Sequence, residues 1–176
     1  DSNDSLLDYK DTASLSLNTN ATIKDLAGND AGLILPTPGQ TGSLSQTKTI
    51  VIDTTSPTVN NVTSTTGDGR YKVGTTIPIE VEFSEIVVVS SGTPQLTLLL
   101  GSEDVVVNYS TGTGTDTLTF NYVIQPGDND DNLDYKATNS LTGSIFDRAG
   151  NAASLTLPTP NGANSLGDNK NLIIDT

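Results

Sequence analysis

The feature that most constrains this chain is that it repeats itself. Leu7-Asp8-Tyr9-Lys10 returns as Leu133-Asp134-Tyr135-Lys136, an offset of 126. Ile23-Lys24-Asp25-Leu26-Ala27-Gly28-Asn29 returns as Ile145-Phe146-Asp147-Arg148-Ala149-Gly150-Asn151, now at an offset of 122. Leu35-Pro36-Thr37-Pro38 and Ile50-Val51-Ile52-Asp53-Thr54 return at that same offset, as Leu157-Pro158-Thr159-Pro160 and Leu172-Ile173-Ile174-Asp175-Thr176. A four-residue insertion near residues 17–20 accounts for the difference. Residues 1–54 therefore read as the back part of one repeat and 55–176 as one whole repeat. Solenoid units run to roughly 20–50 residues, too short for this period; a whole β-sandwich of about 100 residues suits it. A partial sandwich exposes an apolar face and open strand edges. Residues 1–54 are expected not to fold alone, their missing strands coming from chain upstream or from another molecule.

Within the whole repeat the signal is period two. Ile77, Ile79, Val81 and Phe83 alternate with Pro78, Glu80, Glu82 and Ser84, and Leu118, Phe120, Tyr122 and Ile124 alternate with Thr119, Asn121 and Val123. Such alternation marks half-buried strands. Shorter strands are expected at 59–63, 95–100, 105–109, 155–157 and 172–174, with turns at Thr-Gly-Asp-Gly (66–69), Thr-Gly-Thr-Gly (111–114) and Pro-Gly-Asp-Asn (126–129). No stretch has a capped 3.6-residue period. The expected fold is all-β: an Ig-like Greek-key β-sandwich in tandem repeats. A few residues, Pro57 among them, join Ile52 to Val59. Proline stiffens such a joint, so the array is expected to be a semi-rigid rod.

Composition narrows the chemistry. Cys, His, Met and Trp are all absent, which removes disulfides, thiolate zinc sites, a thiol nucleophile and any Ser-His-Asp triad. Lack of oxidisable Cys and Met suits an exposed extracellular protein. With 21 Asp+Glu against 8 Lys+Arg, the net charge of −13 argues against nucleic acid and anionic lipid. It suits divalent cations, or simply solubility. No window has the roughly 18 apolar residues of a membrane span, and any secretion signal is expected upstream.

Read in order, Asp53-Thr-Thr-Ser-Pro-Thr-Val, Tyr71-Lys-Val-Gly-Thr-Thr-Ile, Val81-Glu-Phe-Ser-Glu, Gly92-Thr-Pro-Gln-Leu-Thr-Leu, Leu118-Thr-Phe-Asn-Tyr, Leu133-Asp-Tyr, Asp147-Arg-Ala-Gly-Asn and Leu172-Ile-Ile-Asp-Thr resemble the bacterial Ig-like tandem repeats of very large surface proteins. These include repeats-in-toxin-type and biofilm-associated adhesins and cell-surface proteins of cyanobacteria and other marine bacteria. The resemblance covers 53–176, with 1–54 as the back of the preceding unit. It implies an extracellular stalk or matrix, often rigidified by calcium.

Three acidic places are candidates for Ca2+. In the first, Asp128, Asp130, Asn132 and Asp134 alternate, with Asp131 between. Calcium takes six to eight oxygens at about 2.3–2.6 Å, and this spacing resembles the first half of a calcium loop. It is not an EF-hand, because Leu133 replaces the loop glycine and Asn139 the bidentate Glu. In the first copy Ser2, Asp4, Leu6 and Asp8 hold the aligned places, so only two acids persist. Turn-forming Asp and Asn in a solvated loop explain the cluster equally. The second is Asp147 to Asn151, repeated at Asp25 to Asn29, where Asp, Gly and Asn also suit a tight turn. The third is the joint: Asp53 and Asp175 end their repeats, and Glu85 follows a strand that is expected to finish near the same pole. If Glu85 and Asp147 converge on Asp53, a divalent ion would lock an otherwise repulsive cluster; otherwise each acid is separately solvated. Asn20, Asn61 and Asn108 begin glycosylation sequons.

The expected function is a non-enzymatic structural or adhesive module at the cell surface, its partners being neighbouring repeats of the same or an identical chain. Alternatives are a glycan-, matrix- or cell-binding module, for which the tyrosines are the only plausible aromatic platforms; a paired-carboxylate hydrolase; and a filament or surface-layer subunit joined by strand sharing.

Overall fold

The computed structural model describes residues 6–101 and 103–176. The chain divides into two compact units, Asp1–Thr55 and Ser56–Thr176. Ser2 and Asp4, aligned above with the acidic loop, lie outside the described residues.

Among its described residues the first unit holds one helical turn, α1 (Leu44–Thr47). The second unit is mostly strand: β1 (Val59–Ser64), β2 (Gly69–Tyr71), β3 (Thr76–Leu100), β4 (Glu103–Thr111), β5 (Thr115–Val123), β6 (Asp134–Tyr135), β7 (Leu141–Phe146) and, after the helical turn α2 (Leu166–Asn169), β8 (Leu172–Ile174).

The 25-residue β3 organises this unit. Along 76–87 it lies between β1 (Val62 opposite Val81) and β5 (Ile79 opposite Phe120), both antiparallel. Along 88–100 it has a second set of antiparallel neighbours: β4 on one edge (Leu96 opposite Val107), and β7 then β6 on the other (Leu96 opposite Leu141, Leu98 opposite Tyr135). A register shift at 82–87 precedes the second set, and two more, at 89–91 and 91–95, fall within the β3–β7 pairing. Extra residues of this kind bend a strand and raise its twist. β3 is thus central along both parts, which explains why Ile77, Ile79, Val81, Leu96 and Leu98 are all fully buried. β2 and β8 form a separate parallel pair.

The core adds Leu118, Phe120, Ile124, Leu133, Tyr135, Leu166 and Leu172 to these β3 residues. Tyr109 meets Phe120 edge to face, with ring centroids 6.2 Å apart, a geometry that aromatic quadrupoles favour. The 111–114 turn depends on Gly112: at its φ of +115° a Cβ would lie 2.1 Å from the Thr117 carbonyl oxygen.

Two expectations need correction. Residues 155–157 form no strand; Leu157 is buried, but its N–H bonds the Thr138 carbonyl in an irregular segment. Helical turns also exist, at α1 and α2, each capped by a serine hydroxyl, from Ser43 and Ser165. Four residues are too few for a helical period to register in sequence.

Each unit also carries the same back-half framework. Leu7 N–H donates to Ile50 O at 2.8 Å, and Leu133 N–H to Leu172 O at 2.9 Å. Ala31 to Ile23 and Ala153 to Ile145 are both 2.9 Å. Leu35 to Thr12 corresponds to Leu157 to Thr138, and Lys48 to Leu44 to Lys170 to Leu166. Even the serine that closes a turn recurs: Asp11 N–H donates to Ser14 Oγ as Ala137 N–H does to Ser140 Oγ.

Candidate functional site

The acids at 128–134 are occupied locally. Asp128 Oδ2 accepts from the Tyr122 hydroxyl at 2.6 Å and Gln125 N–H at 2.7 Å. Asp130 accepts from Asn132 N–H at Oδ1 and from Gly101 N–H at Oδ2. Asp134, nearly buried, accepts from Tyr135 N–H and Asn161 N–H, both at 2.8 Å. Each carboxylate therefore satisfies a different pair of donors. Asp131 is exposed and lines a shallow depression with Arg70 and Asp175. Asp175 pairs with Arg70 at 3.4 Å, both side chains well exposed, so the pair contributes at most about 1 kcal/mol.

Asp134 belongs to a corner that the first unit also builds. Asp8 accepts from Tyr9 N–H, Gly39 N–H and the Ser45 hydroxyl. Gly167 stands where the aligned first copy has Ser45. In both corners the tyrosine hydroxyl donates to a proline carbonyl, Tyr9 to Pro36 and Tyr135 to Pro158. Nothing in the spacing of the acids points to this buried role. The one available signal is that Asp8 and Asp134 persist between copies while most of their acidic neighbours change.

The turn after β7 is similarly duplicated. Asp147 Oδ1 accepts from Gly150 N–H at 2.6 Å and Asn151 N–H at 2.8 Å, and Oδ2 accepts from Asn151 Nδ2 at 2.6 Å. Asp25 holds Ala27 N–H, Asn29 N–H and Asn29 Nδ2 in the same way, at 2.8–2.9 Å. Gly28 and Gly150 supply the left-handed residue, at φ +91° and +98°.

Two of the expected ligands do meet inside the second unit. A carboxylate oxygen of half-buried Glu85 lies within 4.8 Å of one on buried Asp147. Glu85 sits in β3 and Asp147 directly follows β7, and the pairing of Val88 with Phe146 brings these stretches side by side. Two like charges this close repel by a few kcal/mol at an effective dielectric constant of about 20, and a divalent ion between them would reverse that sign. Asp53, in the first unit, accepts from Thr55 N–H at 3.0 Å.

Burial raises the carboxyl pKa of Asp147, but the bonds from Asn151 and from the Gly150 and Ala149 amides outweigh it and hold it below the ordinary 3.8. Asp25 is lowered too, chiefly by Asn29. A depressed carboxyl stabilises the folded state above its unfolded pKa and loses that contribution as pH falls through the folded value. Stability is expected to hold from neutrality to about pH 4 and to fall below it. Asp147→Asn should flatten the acid limb of the second unit in denaturant titrations at stepped pH. Burial first, then Asp128 and Asp134 respectively, raise Tyr122 and Tyr135 above 10. Their contribution is present below pH 10 and disappears on alkaline titration above it.

Of the sequon residues, Asn61 Nδ2 donates to Glu82 and Asn108 Oδ1 accepts from Gln95 Nε2. Asn20 is exposed, at φ +70°. Compared with protein-family models, curated proteins and solved structures, the chain matches none.

Proposed function

We propose that this chain is a structural or adhesive module of a large extracellular surface protein, built from tandem Ig-like Greek-key β-sandwiches and stiffened by calcium. Repetition carries the reading: two segments of one chain keep the same backbone and side-chain bonds at the same offsets. β3 supports the sandwich, since it leaves one set of antiparallel partners for another while feeding a single core.

Calcium enters through Glu85 and Asp147. Both are partly or wholly buried, and their carboxylates are close enough to share one ion. Millimolar calcium is expected to raise the melting temperature relative to chelator, with about 1.4 kcal/mol gained at tenfold excess over Kd. Glu85→Gln should reduce that gain, whereas exposed Asp131→Asn should not. Equal melting in calcium and chelator by calorimetry would remove calcium from the proposal.

The alternatives are less well supported. All five tyrosine hydroxyls are committed internally: to Pro36, Gly67, Asp128 and Pro158 as donors, and, for Tyr109, to Thr113 N–H as acceptor. Stacking platforms for sugar are poorly served by such rings. A hydrolase needs one carboxyl raised to act as an acid. Asp147 is instead lowered and holds three donors.

A further inference from the structure

The back-half framework is the same in both units, but its burial is not. Ile145 and Ile174 are each 2% exposed, while the aligned Ile23 and Ile52 are 47% and 41% exposed. Leu133, Leu166 and Leu172 are fully buried, while Leu7, Leu44 and Ile50 are only partly so. What covers these positions in the second unit is known. Residue 89 of β3 pairs with Ile145, and β2 pairs in parallel with Ile174. Thr97 and Asn164 tie the halves together further, through Ser140 and Val62. Residues 1–54 align only with the stretch after β5, and the described ones among them hold no counterpart of β1 to β5.

We infer that the open face of Asp1–Thr55 is a docking surface for the front half of a repeat of this same type, presented in covalent linkage to it. The occupant is defined by its chemistry. It is a Val/Leu-bearing strand like 88–100, laid antiparallel beside Ile23, and a short strand like Gly69–Tyr71, laid parallel beside 50–52. Such recognition takes affinity from backbone pairing and specificity from alternate side chains. A second copy of the chain fits less well. Its own front half is already buried against its own back half, so exchanging partners covers one face only by opening another. A covalent link supplies the effective concentration that a separate chain lacks. Leu26 and Ile34, also exposed, are not part of this face; they align with Arg148 and Thr156, which are exposed too.

The inference rests on the repeat reading but not on calcium, whose effect is read on the second unit. The test compares the 176-residue chain with the same chain carrying a copy of its own residues 56–126 fused ahead of Asp1. Hydrogen exchange is followed by mass spectrometry. Peptides covering 22–31 and 49–54 are expected to exchange at least about tenfold more slowly in the fusion, while 118–124 stays protected in both and reports folding. Ile79→Asp with Val81→Asp in the fused copy alone should restore fast exchange. Unchanged rates in the fusion would overturn the inference, as would protection that survives the double substitution. Protection that rises with concentration in the unfused chain would also overturn it, by making a second copy the occupant.

Discussion

Phe120→Ala is expected to destabilise the Ser56–Thr176 unit by about 3–5 kcal/mol, the upper end of what one core side chain contributes. Phe120 is fully buried in β5, lies opposite Ile79 of β3 and opposite Tyr109 of β4, and meets Tyr109 edge to face. Removing the ring takes away its transfer free energy and leaves a cavity at a point where three strands converge. Little collapse is available, because Ile79 and Leu118 are themselves held by the paired backbone. The measurement is the denaturation midpoint, with the slope m compared to check that a single unit still unfolds. Val106→Ala is the control: it is 54% exposed on β4, so its cost should stay within about 0.5 kcal/mol. Similar midpoints for the two variants would mean that β5 does not join β3 and β4 around one core.

The all-β character was legible because the alternation at 77–83 and 118–124 is long enough to leave no other period. The continuation of β3 was not. Ser-Ser-Gly-Thr-Pro at 90–94 reads as a break, and the strand survives it only because β7 pairs across with register shifts on both sides. Pairing partners decide such a case, and they lie far away in sequence. For β2, β6 and β8 the difficulty is length, since two or three residues carry no periodicity of their own. Residues 155–157 are the opposite error: Leu-Thr-Leu alternates, yet no strand lies beside it to complete a ladder.

At the acidic loops, spacing counted carboxylates but could not count amide donors. Asp128, Asp130 and Asp134 alternate like metal ligands, yet each meets its own set of N–H and O–H groups. Asp and Asn are common in loops for this reason. By contrast, Glu85 and Asp147 are far apart in sequence and come together only through the β3–β7 pairing. In the sequence, only the expectation that the strand before Glu85 finishes near the pole of Asp53 points to their approach.

The second large effect is a difference between two matched substitutions, Asp134→Ala and Asp8→Ala. Both carboxylates accept from the following tyrosine N–H and from an amide about thirty residues on, Asn161 or Gly39. In the second unit this corner is sealed: Asp134 is 6% exposed, and Tyr135 and Leu133 beside it are buried. Deleting the acceptor strands two donors away from water, at about 1–3 kcal/mol each, for an expected loss of about 2–6 kcal/mol. In the first unit Asp8 and Tyr9 are only partly buried. Water can replace the acceptor there, and the loss should be clearly smaller than in the second unit. Urea titration followed by site-resolved NMR separates the two units in one sample. The asymmetry has a physical origin other than the bonds themselves: the two amide bonds match, and the Ser45 hydroxyl even gives Asp8 a third donor that Asp134 lacks. It measures how much of the repeat's front half covers each corner, so fusing that half ahead of Asp1 should bring the cost of Asp8→Ala up towards that of Asp134→Ala. If both substitutions cost the same in the unfused chain, the first corner is already dry and its exposed face is not waiting for further strands.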